Sequence, residues 1–192
     1  MRGPFNRARV ESRIVHIRVA TMEDCGLVAT LHARSWQQAY RGILSDHYLD
    51  FEVEQERLAL WRDRFKKPKP NQMVLCAHSN ETILGFVCTF FRDDDQFGTF
   101  IDNLHVSLDA RRSGCGSALV RHVRNISESS HSEQRVFLWV LANNSPAIKF
   151  YESIGGKRVE EAYWTPPDGG NYLKYRYIWH VTSAQSCATR TC

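Results

Sequence analysis

Hydrophobic positions recur with two periods along the chain and divide it into strands and helices. Residues 14–19 alternate Ile14, His16 and Arg18 with Val15, Ile17 and Val19, the two-residue period of a strand. Thr21, with the acid Asp24 three positions on, predicts a helix start, and Leu27, Val28 and Leu31 form the inward stripe. That helix runs to about Trp36 or Tyr40, where Gly42 and Ser45-Asp46 break the pattern. A second helix spans Glu52 to Lys67, with Leu58, Trp61 and Phe65 on one face and Glu56, Arg57, Arg62 and Asp63 outside; Pro68 and Pro70 end it. Strands over 72–78 and 82–91 flank Ser79-Asn80-Glu81, a hairpin, and 97–106 reads as a central strand. In the following helix Leu119, Val123 and Ile126 recur at i, i+4 and i+7. Residues 135–141 alternate as a strand, Ser145-Pro146 opens a last helix that stops at Gly155-Gly156, and 157–163 and 172–180 pair as closing strands. The order β-α-α-β-β-β-α-β-α-β-β predicts one α/β domain with a mixed sheet.

Composition narrows this picture. A chain of 192 residues with 43% hydrophobic and 24% charged positions suits a single globular domain, placed over residues 14–181. Residues 1–13 and 182–192 are polar and patternless, and are expected to be flexible ends. The net charge of +4 suits an anionic ligand, but the basic residues form no dense block, so no nucleic-acid partner is expected. No run of about 18 apolar residues predicts a membrane span. The six cysteines form no Cys-x-x-Cys, and Cys25, Cys76 and Cys88 lie in apolar segments; they read as reduced thiols of a cytoplasmic protein. Asp93-Asp94-Asp95 lacks the further ligands of a calcium loop, and no metal is expected.

Candidate chemistry concentrates where the central strand ends. Arg111-Arg112-Ser113-Gly114-Cys115-Gly116-Ser117 opens a helix. First-turn N–H groups have no intrahelical partner and lie at the positive end of the helix dipole, and Gly114 and Gly116 leave no Cβ in a ligand's way. Such a turn suits phosphate. It is not a P-loop, and Leu119 stands where a dinucleotide fingerprint needs a small residue. Arg111-x-x-Gly114-x-Gly116 resembles the Arg/Gln-x-x-Gly-x-Gly/Ala pyrophosphate loop of the GNAT superfamily of N-acetyltransferases. Residues 140–156, a strand, the pair Asn143-Asn144, and a helix carrying Phe150-Tyr151 and ending at Gly155, resemble that family's closing motif. The resemblance covers Ile14 to His180 and implies the family's three-layer fold: a mixed, mostly antiparallel sheet with helices on both faces.

The resemblance implies acetyl-CoA as co-substrate and a primary amine, of a small molecule or of a peptide or protein, as acceptor in a ternary complex. The backbone of Leu104, His105 and Val106 would pair with the pantetheine. Arg111, Arg112, Ser113, Gly114, Cys115, Gly116 and Ser117 would hold the pyrophosphate, and Asn144, with Asn143 as the lesser partner, would bond the pantetheine arm or support the start of the last helix. Tyr151 would point its phenol at sulfur as the acid. Trp36 and Tyr40, whose i, i+4 spacing reads equally as core filling, would wall the acceptor pocket. For the base, Asp102 ranks first, His105 second and Glu23 outside them, and attack by an already neutral amine stays open. Simple alternation puts Asp102 on the face of Leu104 and Val106, opposite Asn103 and His105, unless a bulge resets the register. Cys115 at a helix N-terminus suggests a lowered thiol pKa, although its backbone is what the loop uses. The alternative function is an acyl-CoA-binding regulatory module without catalysis. A homodimer that exchanges the closing strands stays open too.

Overall fold

The computed structural model describes residues 15–79, 82–166 and 168–180. The ends expected to be flexible, and Asn80 and Glu81 of the hairpin tip, lie outside the described residues. Seven strands form one sheet: β1 (His16–Val19), β2 (Gln72–Ser79), β3 (Thr82–Asp94), β4 (Gly98–Val106), β5 (Arg135–Leu141), β6 (Lys157–Trp164) and β7 (Tyr172–His180). Their order is β1-β2-β3-β4-β5-β7-β6, and every neighbouring pair is antiparallel except β4–β5. The helices are α1 (Cys25–Ala39), α2 (Asp46–Phe51), α3 (Val53–Lys66), α4 (Cys115–His131) and α5 (Ser145–Ser153). The expected three layers are all present. Helices α1 and α3 cover one face through Val28, Ala29 and Trp61, packed on Cys76, Phe86 and Cys88. Helices α4 and α5 cover the other through Leu119, Val123 and Tyr151, packed on Leu138, Val140 and Trp179. A third cluster joins Trp36 of α1 and Tyr48 and Leu49 of α2, with Trp164 and Tyr172 at the end of the β6–β7 pair packed against it.

Local chemistry sets the helix starts. Thr21 N donates to Asp24 Oδ2 at 2.8 Å, as the capping pattern predicted, but the first turn, Met22–Asp24, is a 3-10 helix and α1 begins at Cys25. Arg18 clasps the Asp24 carboxylate with two bonds of 2.7 and 2.8 Å. The inward stripe of α1 is Cys25, Val28, Ala29, His32, Ala33 and Trp36, whereas Leu27, expected inside, is 55% exposed. Helix α2 was not foreseen. Ser45 caps it by accepting from Tyr48 N at 3.4 Å, the same signal that marks other helix starts. On α3, Arg57 is buried rather than outside: it sits four residues before Trp61 and seven before Arg64, on the helix's inner face. The four described cysteines are free and buried.

Candidate active site

Strands β4 and β5 run side by side only at their starts, where Thr99, Phe100 and Ile101 pair with Val136, Phe137 and Leu138. Beyond that point they part, although β4 continues to Val106 and β5 to Leu141. The cause lies on the other edge of β4. Its pairing with β3 passes from Thr89↔Ile101 to Cys88↔Asn103, so Asp102 is an extra residue with no partner. A bulge of this kind bends the strand and increases its twist. It carries 103–106 away from β5 while β3 holds them as far as Gly85↔Val106. The resulting opening is a cavity of about 260 Å³, whose wall includes Trp36, Tyr40, Asp102, Leu104, His105 and Tyr151. On this side the backbone of Leu104–Val106 has no strand partner.

The bulge also corrects the face of Asp102. The carboxylate meets Arg64 of α3 at 2.5 Å, on the α1–α3 side of the sheet with His105, not with Leu104 and Val106 on the α4 side. Arg64 Nη1 and the Asn103 amide both donate to Oδ2, and among the described residues no group bonds to Oδ1. Asp102 therefore faces the cavity with one oxygen held and one free.

The loop after β4 contains two left-handed residues, Arg112 at φ 63° and Gly114 at φ 85°. Gly114 is the N-cap of α4, and no side chain of its own is there to cap the helix. Arg111, Arg112, Ser113 and Gly114 are exposed. Ser113 Oγ accepts from Cys115 N at 3.4 Å, and the N–H groups that follow, with no side-chain cap, can receive an anion. At Gly116 a Cβ would lie 3.1 Å from Phe150 Cζ, so its small size also lets α4 press against α5. The Cys115 side chain is buried. Its thiol packs under β3, 3.2 Å from where a Cβ on Gly85 would stand, and burial pushes its pKa up to about 11.

Tyr151 on α5 is 8% exposed, its ring edge-on to Trp179. Burial raises its pKa well above that of an ordinary phenol, and the nearby Tyr40 phenol adds to this, so it carries its proton at neutral pH. Tyr40 is pushed up to about 12 by burial and bonds to the side chain of Asn144. Asn144 also accepts from Ala147 N at 3.2 Å, as the cap of α5. Asn143 is exposed in the turn, and it, Asn144, Val106 and residues 111–117 lie outside the cavity wall. His105, half-buried, has its pKa lowered to about 3 by burial, then by the charges of Arg57 and Arg111. It lies 4.4 Å, ring centre to ring centre, from His32. Trp61 Nε1 donates to His32 Nδ1 at 3.0 Å, which leaves the proton of neutral His32 on Nε2.

The sequence did not reveal His32, Arg57, Arg64, Trp164 or Lys174 as residues of this region. Arg57 and Arg64 could have been found from their seven-residue spacing around Trp61. Lys174 carried no signal, because an alternating strand puts Lys on either face at no visible cost. Among the described residues no group of three or more His, Cys, Asp or Glu could hold a metal ion, and no helix is long and apolar enough to cross a membrane.

Known proteins give the geometry a context. A model of the acetyltransferase (GNAT) family matches residues 34–156. A probable N-acetyltransferase of Mycobacterium tuberculosis is 28% identical over 175 residues, 84% of this chain and 92% of the relative. The probable N-acetyltransferase san of Drosophila melanogaster is 29% identical over 90 residues, 46% of this chain, and the match spans only about half of that relative, 49%. The crystal structure of PaiA N-acetyltransferase from Thermoplasma acidophilum in complex with coenzyme A superposes with a TM-score of 0.66 at 17% identity, covering 84% of this chain and 98% of the other.

Proposed function

Since this chain belongs to the acetyltransferase (GNAT) family, we propose that it transfers the acetyl group of acetyl-CoA to a primary amine of a small molecule or peptide by direct attack. The observation that carries this is the parting of β4 from β5, with Tyr151 and Asp102 in the wall of one cavity. The likeness to a protein solved with coenzyme A supports the choice of ligand.

The residues fit that ligand. Backbone N–H groups at the start of α4, with Arg111 and Arg112, take the pyrophosphate. The free backbone edge of Leu104–Val106 pairs with the pantetheine amides as a further strand would. The bound thioester supplies the electrophilic acyl carbon. The amine nitrogen forms the new bond to that carbon as the carbon–sulfur bond breaks. Tyr151 donates its proton to the departing sulfur, since a buried phenol is protonated and short of donors to share. Asp102 takes the amine proton on its unpartnered Oδ1, directly or across one water, while Arg64 fixes its orientation through Oδ2. Neutral His105 adds no positive charge to repel an incoming amine.

Mixing the protein with acetyl-CoA and a panel of primary amines tests this. Free thiol should appear only when both are present. Failure to bind acetyl-CoA in calorimetry overturns the proposal; binding without turnover of any amine favours the non-catalytic module.

A further inference from the structure

The charges around the cavity do not cancel. Arg64 is answered by Asp102 at 2.5 Å. Arg176, just outside, is answered by Asp94 at 3.3 Å and Glu160 at 2.8 Å. Two cationic groups in the wall keep unanswered donors. Lys174 of β7 holds its ammonium 4.3 Å from the centre of the Trp139 ring, and among the described residues no carboxylate lies within ion-pair distance of it. It is half-buried. Arg57 is only 7% exposed; one Nη bonds to Glu56, which Tyr48 also contacts, but its Nε–H is buried with no partner. An unpaired buried donor of a charged group is costly to keep, and a ligand that satisfies it recovers that cost.

Both groups lie on the α1–α3 face of the sheet, away from the α4 loop. Arg57 stacks 4.4 Å from the centre of the Trp36 ring, and Trp36 meets Trp164 edge-on. Arg57, Lys174, Trp36 and Trp164 all belong to the cavity wall. A small anionic group fits these donors, and indole faces suit a carbon skeleton. An acceptor bearing only ammonium groups would meet Lys174, which has no carboxylate partner, beside Arg57 and Arg64, whose carboxylates Glu56 and Asp102 are already engaged.

Resting on the acetyltransferase reading, we propose that the acceptor is an amine that also carries a carboxylate, an amino-acid-like small molecule whose carboxylate is bound by Lys174 and the Nε–H of Arg57. The carboxylate gives Arg57 Nε the partner it lacks and takes the place of water at Lys174, and the amine is then presented to the thioester beside Asp102.

The test compares kcat/KM for free α-amino acids with that for the matching amino-acid amides, for polyamines and for short peptides. Each acid should exceed its amide by about ten-fold or more, the scale of one charge-assisted hydrogen bond. Lys174→Met should bring that ratio near one through a higher KM for the acid, and Lys174→Arg should restore most of it. Equal use of acid and amide, a preference for polyamines or peptides, or a ratio untouched in Lys174→Met would each overturn the inference, as would acetyl-CoA binding without turnover of any of these amines. Absence of acetyl-CoA binding in calorimetry is a separate result: it overturns the transferase reading and this inference with it.

Discussion

At the residue scale, the division of labour between Tyr151 and Asp102 is the sharpest claim. Tyr151→Phe removes only the hydroxyl, and the ring keeps its place beside Trp179. Its kcat should fall about 10²-fold, the usual worth of a positioned acid, with acetyl-CoA affinity unchanged in calorimetry. An unchanged kcat removes Tyr151 from the reaction. Asp102→Asn keeps an oxygen for Arg64 but cannot take a proton, and should also lower kcat about 10²-fold in the same assay. Tyr151 was legible in the sequence because it stands in a motif. The surroundings of Asp102 were not. Its carboxylate sits beside Arg64 only because the strand gains a residue there, and no local pattern announces a bulge. Arg57 shows the same limit. A charged residue on an amphipathic helix reads as outside, yet the Arg57 guanidinium lies over the Trp36 ring in the wall of a cavity.

At the scale of elements, periodicity and punctuation revealed all seven strands and four of the five helices. The miss, α2, is six residues long, too short to display a period, and its Ser45 cap reads equally well as a turn. Its start is tied to the end of the β6–β7 pair: Asp168 accepts from Ser45 N at 3.0 Å and from the Tyr172 hydroxyl at 2.8 Å. The β4–α4 loop carries a second testable claim. At φ 85°, Gly114 occupies a conformation that costs a side-chain-bearing residue about 1–2 kcal/mol, and a β-branched residue more. Gly114→Val should raise the dissociation constant for acetyl-CoA at least about ten-fold and lower the melting temperature slightly. Wild-type affinity in calorimetry would show that the loop does not hold the diphosphate.

Across the whole molecule, the two helical layers leave His32 and His105 stacked between α1 and the sheet, both neutral. Their pKa values lie below the ordinary 6.5, that of His105 at about 3, with burial the first cause in each. Above pH 6.5 neither the folded nor the unfolded chain protonates them. As the pH falls below 6.5 the unfolded chain takes up protons that the folded chain refuses, so stability drops, by up to about 1.4 kcal/mol per pH unit for each imidazole. Asp24, held below the usual carboxylate range by its bonds to Arg18, adds to the loss below about pH 4. Urea midpoints measured from pH 7.5 to 4.5 should hold to about pH 6.5 and then fall steadily; a flat series would mean that these imidazoles are protonated in the fold.

The opening between β4 and β5 is the feature on which the functional reading turns, and amide hydrogen exchange reports on it residue by residue. With saturating acetyl-CoA, the amides of 104–106 and of 114–117 should exchange markedly more slowly than in the free protein, while those of the paired start of β4, Thr99–Ile101, change little. Acetyl-CoA bound at saturation with exchange at 104–106 and 114–117 unaltered would place the ligand elsewhere and contradict the assignment.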